Sequence, residues 1–276
     1  MTVLEALILG VVQGITEFLP VSSSGHLVLL QKIFGIQEPV LLFDTLVHVG
    51  TLAAVCVVLW QDIWAILKKI IQPFTLYIII ATIPAVIAAL VFKKQIEGAF
   101  VSASFLGFSF LITSGLLGFS EFLSRRAGKS GGQEVKTSAI ADMGEYKMTW
   151  PDALVIGLFQ AIALVPGISR SGATLSGGLF RRLERNFIVR FSFLLSIPAI
   201  LGALVFQIKD LGKAGPSGIE IAPLVVGTAS AAVVGFFSIR WMLKIIRERS
   251  LLGFAVYTGV LGLLVLIDRF ATHFFF

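Results

Sequence analysis

Cysteine occurs once in the 276 residues, at Cys56, which leaves no partner for a disulfide and excludes a cysteine metal site. Set in an apolar stretch, that thiol reads as packing or lipid-facing. Charge is also scarce: Asp, Glu, Lys and Arg make up 14% of the chain against 57% hydrophobic residues, 24 of the side chains being Phe. With a mean hydropathy of +0.95, this usage lies far from that of soluble globular domains. The opening Met1-Thr-Val-Leu-Glu-Ala-Leu7 lacks the basic region of a signal peptide, and no small-residue cleavage site follows, so the N-terminus is expected to belong to the mature fold. A basic excess exists, 22 Lys and Arg over 16 Asp and Glu. Its cations fall at the ends of apolar segments rather than on one face, which argues for topology and against nucleic acid as a partner. The chain reads as an all-α integral membrane protein whose surroundings are membrane lipids.

Apolar runs at about 41–60, 74–92 and 103–123 each approach the roughly 20 residues a membrane helix needs, and runs at about 188–208, 221–243 and 251–268 do so again. Between the two trios, 124–150 is polar and reads as a linker; its Gly128-Lys-Ser-Gly-Gly132 lacks the spacing of a nucleotide-binding loop. Ahead of each trio stand two short apolar arms, 3–19 with 26–35 and 152–165 with 173–180. At least one arm of each pair is too short to cross, which predicts re-entrant hairpins over 3–35 and 152–180.

The halves 1–123 and 151–276 also match each other. Displacement by 147 lays Gly10 on Gly157, Gln13 on Gln160 and Ser24-Gly25 on Ser171-Gly172; displacement by 146 lays Thr82 on Thr228 and Leu106-Gly107-Phe108 on Leu252-Gly253-Phe254. One spacing held in one order points to duplication rather than chance. Three crossings per half is an odd number, so the second repeat is expected to run inverted relative to the first. Lys32, Lys93, Lys94, Lys209, Lys213 and Arg269 then fall on one side, and, Arg170 apart, every other Lys and Arg falls on the side of the linker. By the positive-inside rule the linker is cytoplasmic and both termini lie outside.

Two polar knots interrupt this apolar sequence, Leu19-Pro-Val-Ser-Ser-Ser-Gly-His26 and Val165-Pro-Gly-Ile-Ser-Arg-Ser-Gly-Ala-Thr174. A membrane penalises such residues unless they work. Pro20 and Pro166 each break the chain, and Ser-Gly reopens it, so two helix N-termini should face one volume near the membrane's middle. Helix N-termini attract anions; Arg170 adds a planar fork suited to phosphate, and Ser22, Ser23, Ser24, Ser169, Ser171 and Thr174 offer hydroxyls. Gly25 and Gly172 allow close approach within the same substrate-binding set. Gln13 and Glu17 stand four apart on one helix face, with His26 beyond the turn. A carboxylate beside an anion site implies a cation between them, which makes Glu17 a candidate metal ligand, helped by Gln13 through water. His26 is positioned to move a proton. Ser23 is the natural nucleophile if a phosphoryl-enzyme forms; otherwise water attacks and Ser23 holds phosphate.

Each residue has a plainer reading. Small polar residues often serve helix packing in membranes, a lone histidine often bonds a carbonyl, and a buried Glu17–Arg170 ion pair could simply stabilise the hairpins. Asp44 and His48, on one face near the outer end of the first crossing, are left outside the site. A transporter is the competing class, since inverted repeats with broken helices at the midplane are common there; it leaves the carboxylate and histidine beside the anion site without a task.

The motifs Gly10-Val-Val-Gln-Gly-Ile-Thr-Glu-Phe-Leu-Pro-Val-Ser-Ser-Ser-Gly-His26 and Pro166-Gly-Ile-Ser-Arg-Ser-Gly-Ala-Thr174, with Phe191-Ser-Phe-Leu-Leu195 as a weaker third, closely resemble those of the bacterial undecaprenyl-diphosphate phosphatases, also described as bacitracin-resistance proteins. The resemblance runs through nearly the whole chain. It implies a plasma-membrane enzyme that removes the terminal phosphate of a C55 polyprenyl diphosphate at the outer face, regenerating the lipid carrier for cell-wall synthesis with Mg2+ or Ca2+. It further implies catalytic roles for Glu17, Ser23, His26 and Arg170. Many members have Glu where this chain has Gln13, and some have Glu at Arg190, which reads here as a topology charge. Oligomeric state stays open, with a homodimer as one alternative.

Overall fold

The computed structural model describes residues 1–36, 41–103, 105–126, 148–214 and 220–275. Helices α1 (Val3–Thr16) and α2 (Ser23–Ile33) form the first short pair, followed by α3 (Leu41–Val58), α4 (Trp60–Lys68), α5 (Pro73–Val91), α6 (Lys93–Ser102) and α7 (Leu106–Arg126). The second half repeats the order with α8 (Trp150–Ile162), α9 (Arg170–Phe180), α10 (Arg185–Ala214), α11 (Ile221–Glu248) and α12 (Leu252–Ile267), which ends in a π-helical turn, Asp268–Thr272. No strand occurs among the described residues. Among the described residues five helices are long and apolar enough to cross a membrane, or six if the bent pair α3 and α4 counts as one crossing. Most of the linker 124–150 lies outside the described residues.

Both short arms start on the same device. The Thr2 hydroxyl accepts from Glu5 N at 3.2 Å while the Glu5 carboxylate accepts from Thr2 N at 2.7 Å. At the start of α8, the Asp152 carboxylate accepts from Thr149 N at 2.8 Å. These boxes satisfy N–H groups that helix geometry leaves unpaired.

The expected crossing at 41–60 differs in shape: α3 stops at Val58 and α4 leaves at 78°. The reason lies in Trp60-Gln-Asp-Ile-Trp64, whose exposed Trp60 and Trp64 and buried Asp62 suit an amphipathic helix at the interface rather than a continuing span. The run expected at 103–123 starts after Ala103, whose left-handed backbone (φ 48°) ends α6. Helix α10 extends beyond both ends of the expected 188–208.

α1 packs on α11 and α3 on α11, while α8 packs on α5 and α10 on α5; α7 pairs with α12. Small residues permit these approaches: a Cβ on Gly14 would sit 2.8 Å from Val234 Cβ, and one on Gly157 2.5 Å from the Ala81 carbonyl. Apolar burial does not by itself drive helices together in lipid, so close backbone contact matters more than in water. The main core gathers Phe18, Phe74, Phe187 and Phe191, with Phe193 edge-on to Phe18 at 5.3 Å. On α5, Phe74, Ile78, Ala81 and Ala85 face inward, while Leu76, Ile79, Ile83, Val86 and Leu90 are exposed. An apolar outer face of this kind meets lipid.

Candidate active site

Glu17 caps α1 and is buried. Its Oε2 accepts from Gln13 Nε2 at 3.0 Å and from the Ser23 hydroxyl, and its Oε1 accepts from Arg170 Nη2. The two knots therefore meet. Further bonds hold them: the Ser171 hydroxyl donates to the Leu19 carbonyl at 2.9 Å. A Cβ on Gly25 would lie 3.0 Å from Gly167 Cα and 2.7 Å from the Phe110 ring, and one on Gly172 would lie 3.4 Å from Pro20 Cβ. Gly167 itself has φ 90°, a conformation only glycine adopts without strain.

Ser22 and Ser169 both serve as helix N-caps. Ser22, at φ 72°, caps α2 by accepting from Gly25 N at 3.2 Å, and its hydroxyl lies 3.4 Å from that of Ser24. Ser169 caps α9, accepting from Gly172 N at 3.0 Å, donates its own N–H to Thr113 Oγ1 at 3.0 Å, and lies 3.2 Å from the Ser171 hydroxyl. Intrahelical bonding in α9 starts with Ala173 N to Ser169 O, so the N–H groups of Arg170 and Ser171 sit in the anion-attracting first turn. Thr174 is turned elsewhere: it donates to the Arg170 carbonyl at 2.9 Å and lies 2.6 Å from the Ser192 hydroxyl on α10. The Phe191–Leu195 signature is thus packing, with Ser192 bracing α9 and Phe193 bracing Phe18 beside Glu17.

His26 does not join the Glu17 cluster. Its Nδ1 lies 2.7 Å from the Ser22 carbonyl and its Nε2 2.7 Å from the Tyr257 hydroxyl. In its place His48 approaches Glu17, with Nε2 3.5 Å from Oε2 and Nδ1 2.6 Å from the Asp44 carbonyl. Asp44 is anchored by Gln31 Nε2 at 2.7 Å. The sequence signal for His48 was its place four residues from Asp44; the missing datum was that α3 lies against α1.

Two polar atoms in this cluster are buried without a partner, Gln13 Oε1 and Arg170 Nη1. A buried orphan acceptor and a buried orphan guanidinium N–H are costly unless something else completes them. Gln13 Oε1 beside the Glu17 carboxylate offers hard oxygen donors of the kind Mg2+ and Ca2+ take, and Arg170 Nη1 offers a donor for an anion. Among the described residues no three His, Cys, Asp or Glu gather as a metal cluster. Two protein oxygens suffice for a cation that keeps its waters and shares phosphate oxygens.

Elsewhere, Arg190 pairs with Asp62 at 3.4 Å, Arg185 with Glu121 at 2.6 Å and Arg181 with Asp152 at 2.6 Å. Arg190 thus has a structural partner on α4.

The family model described as Bacitracin resistance protein BacA matches residues 6–264. An undecaprenyl-diphosphatase of Carboxydothermus hydrogenoformans is 46% identical over 272 residues, 98% of each chain. Undecaprenyl-diphosphatase 4 of Bacillus thuringiensis subsp. konkukian is 40% identical over 271 residues, 98% of this chain and 99% of its own. An undecaprenyl-diphosphatase of Alkaliphilus metalliredigens is 39% identical over 286 residues, 97% of this chain and 98% of its own.

Proposed function

The chain belongs to the BacA bacitracin-resistance family, and from that premise we propose how its two knots carry out the family's reaction. It is a membrane enzyme that hydrolyses undecaprenyl diphosphate to undecaprenyl phosphate and inorganic phosphate. The observation that carries the mechanism is the Ser23 hydroxyl donating to a Glu17 carboxylate that also accepts from Arg170.

Arg170 exchanges Glu17 for the terminal phosphate when substrate arrives, offering its unpartnered Nη1 as well, and so frees the carboxylate. Ser23 Oγ then attacks the terminal phosphorus as its proton passes to Glu17. The bond from phosphorus to the bridging oxygen breaks, and undecaprenyl phosphate leaves with that oxygen. Glu17 passes the serine's proton to that departing oxygen and, ionised again, takes a proton from the water that cleaves the phosphoserine in the second half-reaction; inorganic phosphate leaves, and Ser23 Oγ regains its proton from Glu17. The first-turn N–H groups of Arg170 and Ser171 on α9 hold the diphosphate, in a turn that Ser169, Gly172 and the Ser171 hydroxyl keep in shape; Ser22, Ser24 and Gly25 shape the turn that presents Ser23; His26 exchanges a proton at Nε2. Glu17 and Gln13 Oε1 would hold Mg2+ or Ca2+, which when bound draws charge off the phosphate oxygens. The transporter alternative has no comparable support, since the Ser23–Glu17 pairing serves bond breaking and not passage.

Supporting an inverted duplication, Gly10 meets Gly227 as Gly157 meets Ala81, positions that exchange under the two displacements found in the sequence. On that arrangement the linker faces the cytoplasm of a plasma-membrane protein and the site opens outward.

The test is phosphate release from a long-chain polyprenyl diphosphate with a divalent cation, for wild type, Glu17→Ala, Ser23→Ala and Arg170→Ala. Activity in the wild type and loss in all three variants is expected. Label from terminally 32P-labelled substrate should be trapped on the protein and absent from Ser23→Ala; an active protein that never traps label favours direct attack by water.

A further inference from the structure

We infer that Tyr257 is a positioning residue for this reaction, locking His26 in the tautomer that keeps a lone pair on Nε2. The inference rests on the phosphatase reading above and adds a residue that none of the motifs contains. His26 Nδ1 lies 2.7 Å from the Ser22 carbonyl, an atom that only accepts, so Nδ1 carries the proton. In the neutral ring Nε2 is then an acceptor, and the Tyr257 hydroxyl 2.7 Å away donates to it. The two rings lie nearly parallel, 10° apart with centroids at 5.7 Å, and the Phe110 edge meets the imidazole from α7 at 5.5 Å. His26 is thereby held by its own helix, by α7 and by α12.

The exposures give the contact a direction. His26 is 7% exposed and Tyr257 48% exposed, so the phenol stands between the buried imidazole and the surroundings. A proton reaching or leaving Nε2 does so where Tyr257 sits. The bond also joins residues 231 positions apart, so the histidine on the first hairpin is oriented only once α12 of the second half has docked.

Tyr257→Phe keeps the stacked ring and removes the donor. In the purified full-length protein in detergent, kcat should fall roughly tenfold to a hundredfold while KM stays within about twofold, the scale seen when a partner that orients a functional histidine is lost. Because Tyr257 acts through His26, adding Tyr257→Phe to His26→Ala should cause no further loss. The signature independent of catalysis is 15N NMR of histidine-labelled protein, whose three histidines are assigned by substitution. Wild-type His26 should show a protonated Nδ1 and a hydrogen-bonded Nε2, the latter shifting toward an unbonded ring nitrogen in Tyr257→Phe. A protonated Nε2 in neutral wild-type His26, wild-type kcat in Tyr257→Phe, or an additive loss in the double variant overturns the assignment. An inactive wild type with the expected tautomer overturns the phosphatase reading and leaves the positioning contact standing.

Discussion

Glu17 collects Gln13, Ser23 and Arg170 around one buried carboxylate, with His48 alongside, so its charge and its shape are separable by substitution. Glu17→Gln keeps the size, removes the base and leaves the Arg170 guanidinium with an amide in place of its counter-ion. Activity should drop by about a hundredfold or more, as when a general base is lost. The folded protein should lose on the order of 3 kcal/mol, because a largely buried cation is left uncompensated. Thermal unfolding in detergent measures the second effect; an inactive Glu17→Gln with unchanged stability would mean that the Arg170 contact contributes nothing to the fold. At this scale the sequence was informative where chemistry is local. Gln13, Glu17 and Ser23 lie on one short hairpin, across the joint of α1 and α2, and helix spacing alone brings the first two together. His48 and Tyr257 were not legible, because they enter from α3 and α12 through space. Thr174 lay in the motif yet bonds to Arg170 O and Ser192, since a helix turns a side chain four residues on toward its own backbone and the neighbour behind.

At the scale of elements, the short arms are placed by glycine. A Cβ at Gly14 would stand 2.8 Å from Val234 Cβ and 2.9 Å from the Ala231 carbonyl, so α1 touches α11 backbone to backbone. Gly14→Leu should therefore push α1 off α11 and carry Glu17 with it. A loss of roughly 1–3 kcal/mol from overpacking, read as a lower melting temperature, should accompany reduced phosphate release; Gly115→Leu, where a Cβ meets nothing within 4 Å, is the control and should leave both near wild type. The crossings and their approximate limits were legible from hydropathy, since each must satisfy its backbone internally and so needs an unbroken apolar run; the separate short helices α4 and α6 were not. The bend at Leu59 was not, because Trp60 and Trp64 count as apolar in such a run yet prefer the interface.

For the whole molecule, the expected orientation rests on where the cations fall, and the single cysteine makes it testable. In a Cys56→Ala background, Lys69→Cys and Lys94→Cys place one thiol at each of two exposed positions on opposite sides. A membrane-impermeant maleimide added to intact cells should label Lys94→Cys at once and Lys69→Cys only after permeabilisation; the reverse pattern would overturn the orientation while leaving the chemistry intact. Composition and hydropathy settled by themselves that this chain lives in a membrane as helices, because lipid offers no partner to an unpaired backbone. The spacing of the two knots likewise carried the phosphate chemistry, since polar residues kept in apolar surroundings need a task. Only the tertiary structure decided which donors share Glu17, that His26 faces Tyr257 rather than Ser23, and that α1 rests on α11. Those contacts join residues far apart in the chain, and their geometry depends on close backbone packing that no local pattern encodes.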